Sequence, residues 1–425
     1  MWPDSHVCRG VLNLWTKADQ MVGWGGGVSC GGGDPAVLPG FAAGVRGQPE
    51  GDQGLMSERP GRIVFGRPLM PQQHDLERLL DPVFHSAQLT NGGALHDRLE
   101  AALCHQIGGH VSLVSSGTMA LMLALRLGGL ARGGEVITTP LSFAASVQAI
   151  DWCGLVPVFA DVEPAFATLC PQAVERAITP RSVAILAVHF QGIACDIAAL
   201  EDIARRHGLW LVFDAAQAPD IETSGRNICL SGDASALSLH GTKLLSTAEG
   251  GAIVLRDAGL APALARLRNF GLEDGRMTGP GINAKMSELH AAFGLAVLPR
   301  VAEETAARRQ LRRWYDTGFA GMPGVSVLPP RPGTSESHLY YTLVMPAEQR
   351  AATIASLHAD DILPRAPFPL LCGPGTMYEG AIVHSNCARA VAGGLAGQYL
   401  SLPLHGAIGR AGADRVVQAV RRVLG

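Results

Sequence analysis

Aromatic residues are scarce in this 425-residue chain, at 5% of the total. Long apolar runs are missing as well. No stretch approaches the roughly eighteen uninterrupted apolar residues that a membrane-crossing helix needs, so no span is expected. Positive charge is not in surplus. The 34 Lys and Arg are outnumbered by 37 Asp and Glu, for a formal net charge of -3. With no long basic run either, there is no electrostatic case for binding nucleic acid. The nine cysteines form no Cys-x-x-Cys pair. That argues against a zinc ribbon or a disulfide framework and for a reducing, cytoplasmic compartment. No Gly-x-Ser-x-Gly elbow and no Walker lysine loop is present, which removes the usual hydrolase and NTPase readings. His105 and His110 fit one helical face poorly and have no carboxylate beside them, so no metal site is expected.

What is present is an ordinary globular composition, 47% hydrophobic. The length suits one large domain and a smaller one. Residues 1–60 stand apart. They hold Gly25-Gly26-Gly27 and Gly31-Gly32-Gly33 without a sustained helical or strand period. Such a stretch cannot offset its ordering entropy, so it is expected to be disordered or untranslated, with Met56 as the start. Gly31, Gly33 and Ala36 loosely match a dinucleotide fingerprint, but no strand precedes them and Pro35 interrupts them.

From Arg62 onward, helical and strand periods alternate. Helices are expected over Gln73–Ser86, Leu95–His105, Gly117–Leu130, Phe143–Cys153, Pro171–Ile178 and Ile197–His207. Strands are expected over Val111–Val114, Glu135–Thr138, Val156–Asp161, Val183–Val188, Leu209–Phe213, Ala234–Leu239 and Ala252–Leu255. The alternation predicts an α/β fold whose mostly parallel sheet lies between helices. One long helix is expected from Met286 past Arg309, then a strand at His338–Met345 and a terminal helix at Ala413–Leu424. The expected division is a large domain at 61–310 and a small α+β domain at 311–425.

Ligands of a parallel sheet gather at the carboxyl ends of its strands, and three features fall there. Ser115-Ser116-Gly117-Thr118 joins a strand to a helix, where free N–H groups and the helix dipole suit a phosphate; alone it is an ordinary helix cap. Asp214, with Gln217 after it, ends the apolar strand. A buried carboxylate there needs a partner, whether a cationic ring nitrogen, a metal or a salt bridge. Lys243 closes Ser238-Leu-His-Gly-Thr-Lys243, before Glu249-Gly-Gly. Desolvation of such a lysine exposes the free amine that a Schiff base needs, although a surface lysine in a loop reads the same way. In that order across one domain, a phosphate cradle, an acid and a lysine make the layout that a pyridoxal phosphate enzyme requires.

The chain resembles the DegT/DnrJ/StrS sugar aminotransferases, which have the type I pyridoxal phosphate-dependent transferase fold. The matching blocks include Ser116-Gly-Thr-Met-Ala-Leu, Gly134-Glu-Val-Ile-Thr-Thr-Pro-Leu-Ser-Phe143, Val188-His-Phe-Gln-Gly192 and Asp214-Ala-Ala-Gln217. They continue with Ser238 to Lys243, Arg268-Asn-Phe-Gly271, Gly281-Ile-Asn283-Ala-Lys285-Met-Ser-Glu288 and Leu400-Ser-Leu-Pro403. They run from about Arg62 to the C-terminus.

The resemblance implies that Lys243 holds the cofactor as a Schiff base and shuttles the proton of the reaction. It implies that Asp214 pairs with the pyridinium nitrogen, that Phe143 stacks on the ring and that Gln217 reaches the phenolic oxygen or its neighbours. Gly117, Thr118 and Ser238 would hold the phosphate. Asn283 would reach the cofactor phosphate of the neighbouring subunit, so that a homodimer shares its active sites. His189 and His240 are further candidates beside the lysine.

The activity implied is transfer of an amino group from L-glutamate to a nucleotide-linked keto-deoxysugar, serving a surface polysaccharide or a glycosylated natural product. The block at 281–288, with Leu89-Thr-Asn-Gly92, is most like relatives acting on dTDP-4-keto-6-deoxyglucose. Two departures stand out: Gly241 where relatives often carry Pro, and Phe368 where they often carry a polar residue near the sugar. Two other readings compete. A sugar dehydratase on the same fold has histidine in place of the lysine. A non-catalytic regulatory protein has no chemical need for Asp214, Ser238 and Lys243 together.

Overall fold

The computed structural model describes residues 61–366, 368–381 and 390–425. The expectations for residues 1–60, Met56 included, lie outside them. Helices α1 (Gln73–Ser86) and α2 (Ala94–Ile107) lead into β1 (His110–Val114), α3 (Gly117–Leu127), β2 (Glu135–Thr138), α4 (Ala144–Trp152) and β3 (Val156–Phe159). Then come α5 (Pro171–Ala177), β4 (Ser182–Val188), α6 (Ile197–His207), β5 (Trp210–Asp214), β6 (Ala234–Ser238), β7 (Gly251–Leu255) and α7 (Ala261–Leu267). The rest of the chain gives α8 (Glu288–Val297), α9 (Val301–Phe319), β8 (Ser326–Val327), β9 (Tyr341–Val344), α10 (Ala347–Ala359), α11 (Ala390–Gln398), β10 (Tyr399–Leu402) and α12 (Gly409–Leu424).

Seven strands form one sheet in the order β1-β7-β6-β5-β4-β2-β3. The strands from β2 to β6 run parallel, while β7 is antiparallel to both β1 and β6. Sequence explains why this sheet is covered on both faces. Strand β4 reads Ser-Val-Ala-Ile-Leu-Ala-Val, apolar at successive positions rather than alternate ones. One face packs Val136, Leu186, Val212 and Ala236 against Leu121 and Leu125 of α3 and Ile150 of α4. The other packs Ile185, Leu211 and Phe213 against Leu200 and Ile203 of α6.

The expected elements are present with shifted ends. Helix α3 stops at Leu127, since Gly128 and the left-handed Gly129 end it before Leu130. The long helix expected from Met286 is broken. Ser287 caps α8, a 3-10 turn at Leu298–Arg300 intervenes, and α9 begins at Val301. Pro299 sits in that turn, where its missing N–H and fixed φ disrupt the helical ladder. The strand expected over His338–Met345 is limited to Tyr341–Val344.

Strands β8, β9 and β10 make a second, antiparallel sheet. Its core joins Leu343, Leu400 and Leu402 to Leu311 and Tyr315 of α9, Leu357 of α10, and Val416 and Val420 of α12. Ile63 joins this core too, far from its neighbours in sequence, through backbone hydrogen bonds to Asp361 and Leu363 at 3.0 and 2.8 Å. Tyr399 and Leu328, by contrast, pack into the core of the seven-stranded sheet.

Candidate active site

The carboxyl ends of β4, β5 and β6 assemble most of the predicted residues. Register fixes the first. Asp214 is the last residue of β5, opposite Val188 of β4 and Ala236 of β6. Its carboxylate is buried and accepts hydrogen bonds from Ser146 Oγ at 2.7 Å and from the Ala216 backbone N–H at 3.1 Å. Ser146, on α4, is itself 2.8 Å from Ser142 Oγ. Burial raises the Asp214 pKa, and these hydrogen bonds and the nearby Lys243 charge oppose the rise.

Lys243 lies in the loop between β6 and β7. Its backbone N–H closes a turn on His240 O at 2.8 Å. Burial lowers its pKa to about 8; the Asp214 charge works against that shift and the Arg365 charge adds to it. Its ammonium makes no hydrogen bond among the described residues.

Gly117 and Ser238, two of the residues expected to hold a phosphate, meet where α3 packs on the end of β6. Ser116 caps α3, accepting from the Met119 N–H at 3.2 Å. A Cβ on Gly117 would come within 2.9 Å of Ser238 Cβ and 3.2 Å of Ser238 Cα, so only glycine lets the two elements close up. Thr118 occupies the first turn of α3, half-buried.

Gln217 is buried at the start of the loop after β5. Its Oε1 accepts the backbone N–H of Gln191 at 2.8 Å. Phe143 precedes α4. Its ring is half-exposed and lies 5.2 Å from the Phe368 ring. Asn283 is exposed and shares a backbone bridge with Asn269. Among the described residues no hydrogen bond ties its side chain to Asp214 or Lys243. Its neighbour Ala284 does accept the Ser115 N–H at 2.8 Å, so this loop abuts the start of the cradle.

Of the further candidates, His189 is buried. Its Nδ1 accepts the Cys195 N–H at 3.0 Å, which requires the neutral ring with its proton on Nε2, and burial lowers its pKa to about 3. Nε2 has no partner among the described residues. His240 is exposed, with Nδ1 3.0 Å from Thr242 Oγ1. Gly241 has a role that a proline could not fill, since its N–H donates to Ala248 O at 2.8 Å. Glu288, the last residue of the block at 281–288, caps α2. Its carboxylate accepts from the N–H groups of Gly93, Leu95 and His96 at 3.1, 2.9 and 3.1 Å.

Sequence reasoning missed Ser146, Arg365 and Tyr340. Ser146 carries a signal in hindsight, since Ser142 and Ser146 are one helical turn apart in an otherwise apolar stretch. Arg365 and Tyr340 come from the second sheet's neighbourhood and carry none. The Arg365 guanidinium stacks on Phe65 at 4.5 Å. Burial pushes the Tyr340 hydroxyl up to about 12, with Arg365 opposing and Asp214 reinforcing the shift.

A seven-stranded sheet of this order, with an acid and a lysine at its carboxyl ends, defines the class of type I pyridoxal phosphate-dependent transferases. A sequence model of the DegT/DnrJ/EryC1/StrS aminotransferase family matches residues 72–421. The dTDP-4-amino-4,6-dideoxy-D-glucose transaminase of Escherichia coli is 34% identical, over 81% of this chain and 94% of its own. The GDP-perosamine synthase of Caulobacter vibrioides is 33% identical, over 74% of this chain and 86% of its own. The crystal structure of S. venezuelae DesV in complex with a ketimine intermediate superposes with a TM-score of 0.76 at 32% identity. It covers 82% of this chain and 94% of its own. The chain belongs to the DegT/DnrJ/EryC1/StrS aminotransferase family and is a pyridoxal phosphate-dependent aminotransferase.

Proposed function

We propose that this aminotransferase moves an amino group from L-glutamate to the ketone of a nucleotide-linked deoxysugar, with dTDP-4-keto-6-deoxyglucose the first choice. The observation that carries the site assignment is the convergence of Asp214, Lys243 and the Gly117–Ser238 contact at one end of the sheet. These residues fit pyridoxal phosphate. Asp214 is a buried carboxylate with room in its charge balance for a cationic ring nitrogen. Lys243 is pushed toward its free amine. Gly117 packs directly on Ser238, which sets the N-terminus of α3 against the end of β6, where a phosphate could be held by both.

Bound cofactor supplies an electron sink for the bond-breaking at the amino acid Cα. The chain's own residues do the rest. Lys243 would hold the cofactor covalently, and its Nζ, pushed toward the free amine, would be the group that carries the proton of the reaction. Asp214, held by Ser146 and Ala216, would face the ring nitrogen and keep it protonated, which is the charge the electron sink needs. Gly117, Thr118 and Ser238 bind the phosphate, Gln217 the phenolic oxygen, and Phe143 packs on the ring. Arg365, set beside Lys243 in charge, suits a carboxylate or diphosphate of a substrate.

A homodimer suits the chain. Phe270, Leu272, Met277, Ile282 and Leu289 are all exposed in one stretch around Asn283, apolar surface that a second copy would cover. In that dimer Asn283 serves the partner's phosphate. Residues 61–310 would form the cofactor-binding domain and 311–425 the smaller one, in a cytoplasmic enzyme.

The test is the visible absorbance of the purified protein before and after L-glutamate. A yellow band that bleaches supports the cofactor site and the donor. The bleached protein is then titrated with nucleotide keto-sugars, and the one that restores the band names the acceptor. A band indifferent to glutamate removes glutamate as donor. No band after reconstitution overturns the site assignment.

A further inference from the structure

Among the described residues, Gln191 is the buried, side-chain-bearing residue beside the site whose backbone is left-handed. It stands in the 3-10 turn Phe190–Gly192, after β4, with φ 54° and ψ 25°, in the left-handed region that side-chain-bearing residues avoid. Gly192 follows with φ +75°, and a Cβ there would lie 3.1 Å from Gln217 O and collide with Ser337 Oγ. The two left-handed residues bring the Gln191 N–H onto Gln217 Oε1 at 2.8 Å.

That single bond settles the direction of the Gln217 amide. A backbone N–H can only donate, so the atom facing it is the amide oxygen. Gln217 Nε2 is left with no hydrogen bond among the described residues. Gln191 is in turn held from the other side. Its Oε1 accepts from Thr342 Oγ1 of β9 at 2.8 Å and from Ser401 Oγ of β10 at 2.9 Å. The two hydroxyls are themselves 2.9 Å apart, at paired positions of the second sheet. All four side chains are buried, where each hydrogen bond is costly to break. The chain of bonds therefore runs from the second sheet, through a strained turn, to a glutamine beside the acid.

We propose that Gln191 is a positioning residue. By holding the Gln217 oxygen it leaves only the Gln217 N–H to face the cofactor's phenolic oxygen, and Thr342 and Ser401 hold Gln191 in the conformation that does this. The inference rests on the reading of Asp214 and Lys243 as the pyridoxal phosphate site. An N–H donated to the phenolic oxygen draws off its negative charge. That weakens its hold on the proton carried by the adjacent nitrogen, the one joining Lys243 to the cofactor. A freely turning Gln217 would lose this effect, and the proton would stay on to higher pH.

The experiment is a pH titration of visible absorbance on protein loaded with pyridoxal phosphate. Gln217→Leu shifts the midpoint upward, by about one pH unit for the loss of one hydrogen bond. Gln191→Val, whose branched side chain resists the left-handed region, shifts it by a similar amount. Gln191→Gly, which enters that region without strain, stays near the wild-type midpoint although it loses the whole side chain. The double variant Gln191→Val with Gln217→Leu shifts no further than Gln217→Leu alone.

A Gln191→Val titration that matches wild type overturns the proposal, and so does an unmoved Gln217→Leu midpoint. Additive shifts in the double variant do the same, since they mean that Gln191 acts on its own. If Gln191→Val does not fold, Thr342→Val with Ser401→Ala takes its place. That pair is expected to move the midpoint the same way by less, and no movement would count against the proposal. Wild-type protein without a visible band refutes the underlying site assignment instead, so the two failures are distinct.

Discussion

The two ends of the central sheet treat buried charge in opposite ways. At the amino ends of the parallel strands, Glu135 opens β2 fully buried and is matched within the chain. Arg181 Nε donates to it at 2.9 Å, and Arg181 Nη2 and Thr179 Oγ1 also bind it. Glu201 of α6, only half-buried, takes Arg256 Nη2 at 2.8 Å and the Gly232 N–H at 2.9 Å. At the carboxyl ends, among the described residues, Asp214 has a serine and one N–H but no salt-bridged cation, and Lys243 has no hydrogen-bonded anion. A fold that balances its charges at one end has the means to do so at the other. The imbalance marks the end where a charged guest completes the set.

Variants can break this contrast, beginning with the largest effect. Lys243→Ala removes the proposed covalent anchor and proton carrier, so it should abolish turnover and the visible band; a variant with normal multiple turnover would refute the assignment. Asp214→Ala should still bind cofactor but turn over roughly a thousandfold more slowly, as loss of a charge-stabilising group implies; stopped-flow rates near wild type would contradict the role.

The amino end should show the reverse pattern. Arg181→Ala leaves the Glu135 carboxylate buried with fewer partners. Since Arg181 is itself largely exposed, the loss is about 2 kcal/mol, below that of a fully buried pair. Denaturant melts should register it while kcat of the folded enzyme stays unchanged.

pH sharpens the contrast further. The lysine attacks the cofactor as its free amine, so the rate of cofactor capture should rise with pH and level off above about 8. A rate still climbing at pH 10 would show an ordinary lysine. The same shift has a stability consequence of known sign. Between about 8 and the model-peptide value of 10.5, the unfolded chain binds more protons than the folded one. The Lys243 contribution to cofactor-free stability therefore increases with pH across that window. The smallest expected effect is that of Asp214→Asn on the cofactor-free protein, a gain of about 1 kcal/mol at neutral pH from removing an imperfectly matched buried charge. A matching loss instead would mean that Asp214 is already satisfied within the chain.

Much of this site was legible because its parts are local. Gly117 and Thr118 sit where a strand turns into a helix, Asp214 where an apolar run stops, and Lys243 five residues beyond a strand end. Each position follows from a short-range pattern of period 2 or 3.6. The break in the helix at Leu298–Arg300 is legible too, in Pro299. Ile63 and Arg365 were not legible. Their places depend on pairings across some three hundred residues and across a few tens of residues, where no local period reports the partner.

The amino-acid sequence alone determined the strand–helix alternation, the acid, the lysine and the cradle, because backbone propensity and apolar period act over a few residues. Only the tertiary structure decided what those groups face. It put Ser146 on Asp214, closed Gly117 onto Ser238 and turned Gln217 by means of a strained Gln191 braced on the second sheet. Those contacts join residues from 26 to 210 positions apart, separations that no linear spacing encodes.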